Sequence, residues 1–138
     1  MLIRPFTMSD YPAVRRIWEA SAPGVTMRPP DEPDEVDKMR EHNPDLFLVA
    51  EREGEVIGVI MGGWDGRRGW LHHLAVSPEL RNQGIGSALL EAVETRLRAY
   101  GCLKVNLMVH AYNTDAQRLY ERLGYSKMST VLLMGKEF

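Results

Sequence analysis

Val76-Ser77-Pro78-Glu79-Leu80-Arg81-Asn82-Gln83-Gly84-Ile85-Gly86-Ser87 is the stretch on which the reading of this chain turns. Just before it, the strand-like run Trp70 to Val76 stops at Ser77-Pro78. Inside it begins the longest periodic segment, about Gly84 to Tyr100. There Ile85, Leu89, Val93 and Leu97 recur every four residues, while Glu91, Glu94 and Arg98 face away. Gly101 closes that helix. A strand therefore runs through a glycine-containing turn into a helix. Glycine lets the backbone approach a ligand without a Cβ in the way. The unpaired N–H groups of a helix start, at the positive end of its dipole, suit a phosphate. Arg81 within the stretch and Arg16 outside it are available cations. The same residues also suit an ordinary bend between strand and helix. A P-loop would need Gly-Lys-Ser/Thr, which is absent, and a dinucleotide fingerprint would need glycine where Leu89 stands.

Outward from this centre the chain reads as short alternating elements. Leu2 to Phe6 is a first strand. A helix capped by Thr7 or Ser9 follows, with Tyr11, Val14, Ile17 and Trp18 on one face. Ser21 to Pro33, rich in proline, is a loop, and a second helix runs from Asp34 to about His42, stopped by Asn43-Pro44. Leu46 to Ala50 and Val56 to Met61 flank the hairpin signal Arg52-Glu53-Gly54-Glu55, and Asp65-Gly66 marks the next turn. Lys104 to Val109 is a fifth strand. Thr114-x-x-Gln117 is a capping box for a helix carrying Ala116, Leu119, Tyr120 and Leu123 on one face and ended by Gly124. Two last strands are expected at about 125–128 and 131–136. The order β-α-α-β-β-β-α-β-α-β-β predicts a single domain over 1–138, α+β, a mixed and mostly antiparallel sheet with helices on both faces.

Composition narrows the classes of function. Seventeen basic against 19 acidic residues give a net charge of −2, with no global pull toward nucleic acid. The one cysteine, Cys102, forbids an internal disulfide and fits a reducing compartment. There is no leader-like start and no apolar run of about 20 residues that would span a membrane, so a cytoplasmic location is expected.

Arg81-x-x-Gly84-x-Gly86 after Leu74-Ala75-Val76 resembles the phosphate-binding motif of the GNAT superfamily of N-acetyltransferases. Leu107-x-Val109-x-x-x-Asn113-x-x-Ala116-x-x-Leu119-Tyr120-Glu121-x-x-Gly124-Tyr125 is similar to that family's fifth strand and following helix. The resemblance covers essentially the whole chain and implies acetyl-CoA as cosubstrate, with no metal. It implies that Gln83, Gly84, Gly86 and Ser87 cradle the CoA pyrophosphate, that Leu80 and Arg81 shape the approach, and that Leu74 and Val76 pair with the pantetheine arm. Asn113 takes the place of an asparagine that bonds that arm, although an asparagine there also caps a helix well. The acceptor it leaves open is a small-molecule amine or a protein amine. Many relatives dimerise, which leaves a homodimer as one option. A non-catalytic acyl-CoA-binding regulator is the alternative from another class.

Acetyl transfer requires a neutral amine, a polarised thioester carbonyl and a stabilised thiolate. An alkyl ammonium with a pKa of about 10.4 must lose a proton first. Tyr120 stands at the family position of the acid that donates to the CoA sulfur; its plain alternative is a core aromatic. For the base, His72 is the strand candidate, since Trp70 cannot serve, and His110 and ordered water compete. Strict alternation predicts that His72 and His73 face opposite ways, with His72 beside Trp70, Leu74 and Val76. That arrangement would keep the pair from one metal. The acidic run Asp31-Glu32-x-Asp34-Glu35-x-Asp37 falls where such enzymes bind acceptors, but acids at a helix start are also favourable and solvated on their own account.

Overall fold

Two separate apolar clusters, one on each side of a single sheet, explain why the strand sequences carry so few polar residues. In β2 (Phe47–Arg52), Phe47 and Val49 enter one cluster while Leu48 and Ala50 enter the other. A strand buried on both faces loses the apolar–polar alternation of a half-exposed one. The computed structural model describes residues 1–138, and its other elements are β1 (Leu2–Pro5), α1 (Tyr11–Ala20), α2 (Pro33–His42), β3 (Glu55–Trp64), β4 (Gly69–Val76), α3 (Ile85–Ala99), β5 (Val105–Leu107) and α4 (Thr114–Arg122). The strands lie in the order β1-β2-β3-β4-β5, antiparallel as far as β4, with β5 parallel to β4.

Val14, Ile17 and Trp18 of α1 and Val36 of α2 bury against one face. Leu89, Leu90, Val93 and Leu97 of α3 bury against the other, and Leu119, Tyr120 and Leu123 of α4 pack on that second cluster. The α+β class and the helices on both faces thus stand as read. The β2–β3 hairpin turns through Glu53 (φ 53°) and Gly54 (φ 80°), the left-handed pair that a two-residue hairpin turn requires.

Two features differ from expectation. No strands form at 125–128 or 131–136. The Met128 carbonyl accepts the Val131 N–H in a turn where the break between them was expected, but the flanks do not pair. Leu132, Leu133 and Met134 are left exposed. A strand exists only where its backbone pairs, and β5, the last strand of the sheet, offers an edge of three residues. The second difference is a bulge in β4. Val59 stands opposite Ala75 but Met61 stands opposite His72, so His73 and Leu74 share the single partner position of Ile60. His73 has φ 50°, in the left-handed region.

Candidate active site

The turn from β4 into α3 is left-handed at Asn82 (φ 62°) and at Gly84 (φ 83°), which is the N-cap of α3. The first helical bond runs from the Ala88 N–H to the Gly84 carbonyl, and no N–H from Asn82 to Ser87 enters a backbone hydrogen bond. These donors collect at the positive end of a 15-residue helix. Beside them α3, α4 and β4 meet at Gly86: a Cβ there would lie 3.5 Å from Leu119 and 3.9 Å from both Leu74 and Val76. Arg81 reaches away from the helix start, its Nε–H toward the Val76 carbonyl (3.4 Å) and its Nη2 to Ser21 Oγ (3.2 Å). The side-chain oxygen of Gln83 is 3.5 Å from Arg52 Nη1. Arg16 lies apart, exposed, in a hollow shared with Asp10, Glu55 and Glu79.

β4 and β5 pair only where Gly69, Trp70 and Leu71 face Val105, Asn106 and Leu107. Beyond that point the strands part, and Leu74 and Val76 have no β5 partner. The start of α4 borders the opening. Asn113 Oδ1 accepts the Ala116 N–H (3.2 Å), so Asn113, rather than Thr114 of the expected capping box, caps α4, and its amide nitrogen is left as a donor. That nitrogen is 2.8 Å from where a Cβ on Gly24 would sit, and the Tyr112 hydroxyl donates to the Pro23 carbonyl (2.8 Å). The segment after α1 therefore reaches the start of α4.

Tyr120 packs edge-on against Tyr125, with ring centres 5.8 Å apart. Burial pushes its phenol up to about 12, so it keeps its proton at neutral pH and acts as a donor. Every buried side-chain polar atom has a partner, yet the Tyr120 hydroxyl has none; it must therefore reach solvent rather than the core.

The β4 bulge reverses the expected facing of the histidines. Leu71 lies in the α3-side cluster, and Leu74 and Val76 pack against that same cluster, while Ala75 lies in the α1-side one. Odd and even positions have exchanged faces across His73. His72 is therefore not beside Leu74 and Val76; it lies with His73 on the α1 and α2 side. Burial lowers the His72 pKa, and neighbouring His73 lowers it further, against a smaller opposing pull from Asp31. A neutral imidazole at pH 7 results. His110 is exposed and stacks on Tyr112, 4.8 Å between centres, and His42 is exposed at the end of α2.

Asp31 is the residue that the sequence reading placed wrongly. It is buried, and its Oδ1 lies 2.9 Å from His73 Nε2. Most of the remaining acidic run is paired: Glu32 with Arg15, Glu35 with Lys38 and Asp37 with Arg40. A carboxylate between Pro30 and Glu32 carries no local sign of burial, because its partner lies 42 positions away. No three His, Cys, Asp or Glu side chains converge as a metal site would need, and no helix is long and apolar enough to cross a membrane.

A strand that parts from its neighbour beside a donor-rich helix start is the setting in which comparison with known proteins finds a family. Residues 11–125 match the model of the acetyltransferase (GNAT) family. An acetyltransferase of Sodalis glossinidius, SG1711, is 44% identical over 137 residues, covering 99% of this chain and 94% of its own. Ard1 from Thermoplasma volcanium superposes with a TM-score of 0.81 at 28% identity, over 91% of this chain and 82% of that one. Naa20 of Chaetomium thermophilum, solved with a bisubstrate analogue, gives 0.79 at 26%, over 91% and 71%. The chain belongs to the GNAT family and is an N-acetyltransferase, an enzyme class that draws its acetyl group from acetyl-CoA.

Proposed function

We propose that this protein moves the acetyl group of acetyl-CoA to a primary amine, on a small molecule or a protein, by direct attack of the amine on the thioester. The observation that carries the reading is the set of unpaired N–H groups from Asn82 to Ser87, opening on the gap between β4 and β5. The N–H groups of Gln83, Gly84, Gly86 and Ser87 hold the pyrophosphate, and Arg81 adds positive charge at the approach. Leu74 and Val76 lie on a stretch of β4 with no β5 partner, and that edge is offered to the pantetheine arm, while Asn113 offers its amide N–H. Tyr120 donates its hydroxyl hydrogen to the departing sulfur. His72, neutral at pH 7, takes the proton of the amine. That division of labour places the proton acceptor on the α1 side of the sheet and the cofactor donors on the α3 side.

Free thiol released from acetyl-CoA in the presence of an amine and peptide panel tests the activity. Calorimetry with CoA, ATP and NAD tests the cofactor, and CoA is expected to bind far more tightly. CoA binding with no thiol release across the panel would favour a non-catalytic acyl-CoA-binding protein instead.

A further inference from the structure

A histidine in the left-handed backbone region is strained, and such strain persists only where the surroundings over-determine it. Three contacts hold His73 there. Its Nε2 lies 2.9 Å from Asp31 Oδ1. Its carbonyl accepts the Trp18 indole N–H (3.3 Å), and the Trp18 ring meets the imidazole edge-on with centres 5.3 Å apart. Asp31 is anchored in turn. Its Oδ2 accepts the Arg28 N–H (2.9 Å), and its carbonyl accepts the Tyr11 hydroxyl (2.7 Å). Its side chain is 6% exposed. The short turn that leads into α2, together with α1, thus grips β4 at one position, and that position is the bulge.

The bulge decides which residues face which substrate. If the alternation of Leu71 ran on unbroken, Leu74 and Val76 would turn to the α1 side and away from the gap beside α4. With the bulge, they face α3 and α4 while His72 stays on the opposite side. We propose that Asp31 and His73 form a pin that holds this bulge, and that they are positioning residues for acetyl transfer. The proposal rests on the acetyltransferase reading for its catalytic consequence, although the pin itself is a property of the free protein.

Four variants of the full chain test it: Asp31→Ala, His73→Ala, His73→Gly, and Asp31→Ala combined with His73→Gly. Glycine adopts a left-handed backbone without strain, so it keeps the bulge without needing the pin. Asp31→Ala and His73→Ala should each weaken CoA binding by about tenfold or more and lower turnover. His73→Gly should recover most of both, and adding Asp31→Ala to it should change little, because the interaction that it removes is already gone. Amide hydrogen exchange over Leu71–Val76 supplies a readout that needs no ligand: faster in Asp31→Ala, near the wild-type rate in His73→Gly. Equal impairment of His73→Gly and His73→Ala would overturn the pin and point to imidazole chemistry. So would unchanged exchange and CoA affinity in a folded Asp31→Ala protein. A wild-type protein that fails to bind CoA would overturn the acetyltransferase reading, and the exchange data would still judge the pin.

Discussion

Tyr120 carries its ring in the α3-side core and its hydroxyl outside it, so packing and chemistry can be separated by one atom. Tyr120→Phe keeps the ring and deletes the oxygen. Turnover should fall by about 10²-fold, the lower end of what general acid catalysis supplies, since a thiolate needs less help than an alkoxide. CoA affinity and melting temperature should stay near wild type, because the hydroxyl has no partner within the protein to lose. Full activity in this variant would reduce Tyr120 to a core aromatic. His72 makes a different prediction. Its depressed pKa places the acidic limb of the kcat/KM profile below about pH 6.5, the ordinary imidazole value. His72→Ala should remove that limb and cost most activity at neutral pH, least at high pH where free amine is already present. A profile that keeps its acidic limb would move the role to another group.

The start of α3 works as a unit built from two glycines with unlike duties. Gly84 is required by its backbone: at φ 83° a branched residue is strained whatever space surrounds it. Gly86 is helical, and a Cβ there would make only ordinary contact with Leu119, Leu74 and Val76, so it is the larger branches of a side chain that would fill the space beside them. Gly86→Val is therefore the cleaner probe, since its methyl groups enter the mouth of the gap without straining the turn. CoA affinity should drop by about tenfold or more, while calorimetric melting shows the domain still folded. Undiminished affinity in that variant would remove the cradle from this loop. At the other helix bordering the gap, the side chain of Asn113 is already committed to the Ala116 N–H. Any hydrogen bond that Asn113 donates to a ligand comes from its amide nitrogen.

Stability of the molecule as a whole depends on ties between its layers. Gly62 of β3 is one: a Cβ there would lie 2.6 Å from Val93 of α3 and 2.7 Å from the Leu46 carbonyl oxygen. The carbonyl belongs to the backbone and cannot swing aside. Gly62→Ala should cost about 1–3 kcal/mol, the usual range for overpacking, and lower the melting temperature by several degrees. Arg4 is another tie, bonded through both terminal nitrogens to Asp10 (2.8 and 2.9 Å) and also to Glu51 (3.1 Å). The Arg4 guanidinium holds the Asp10 carboxyl below its ordinary range, against a smaller opposing effect of burial. A carboxyl whose folded pKa is depressed adds stability above its unfolded pKa of about 3.9 and loses it as pH falls through the folded value. Asp10→Asn should therefore be less stable than wild type at pH 7. The gap should close below about pH 4, and a gap that persists in acid would assign the tie to shape rather than charge.

Local chemistry alone determined the helices, the hairpin and the turn into α3. The four-residue recurrence of Ile85, Leu89, Val93 and Leu97 is a property of neighbouring residues, and so are the Glu53-Gly54 turn and the glycines at 84 and 86. Each can be read without knowing what lies opposite. The family assignment followed from the same local signals, and the matched model and relatives agree with it. Tertiary structure decided the rest. Alternation from Tyr125 to Lys136 states a preference for sheet, but a strand forms only against an edge, and the edge of β5 is three residues long. The facing of His72, Leu74 and Val76 depends on a bulge that no residue of β4 announces. It is held by a carboxylate 42 positions earlier in the chain, brought within 2.9 Å of His73 only when α1 and α2 close on the sheet. Sequence neighbours set conformation one residue at a time, whereas register and facing are set by the partner across the fold.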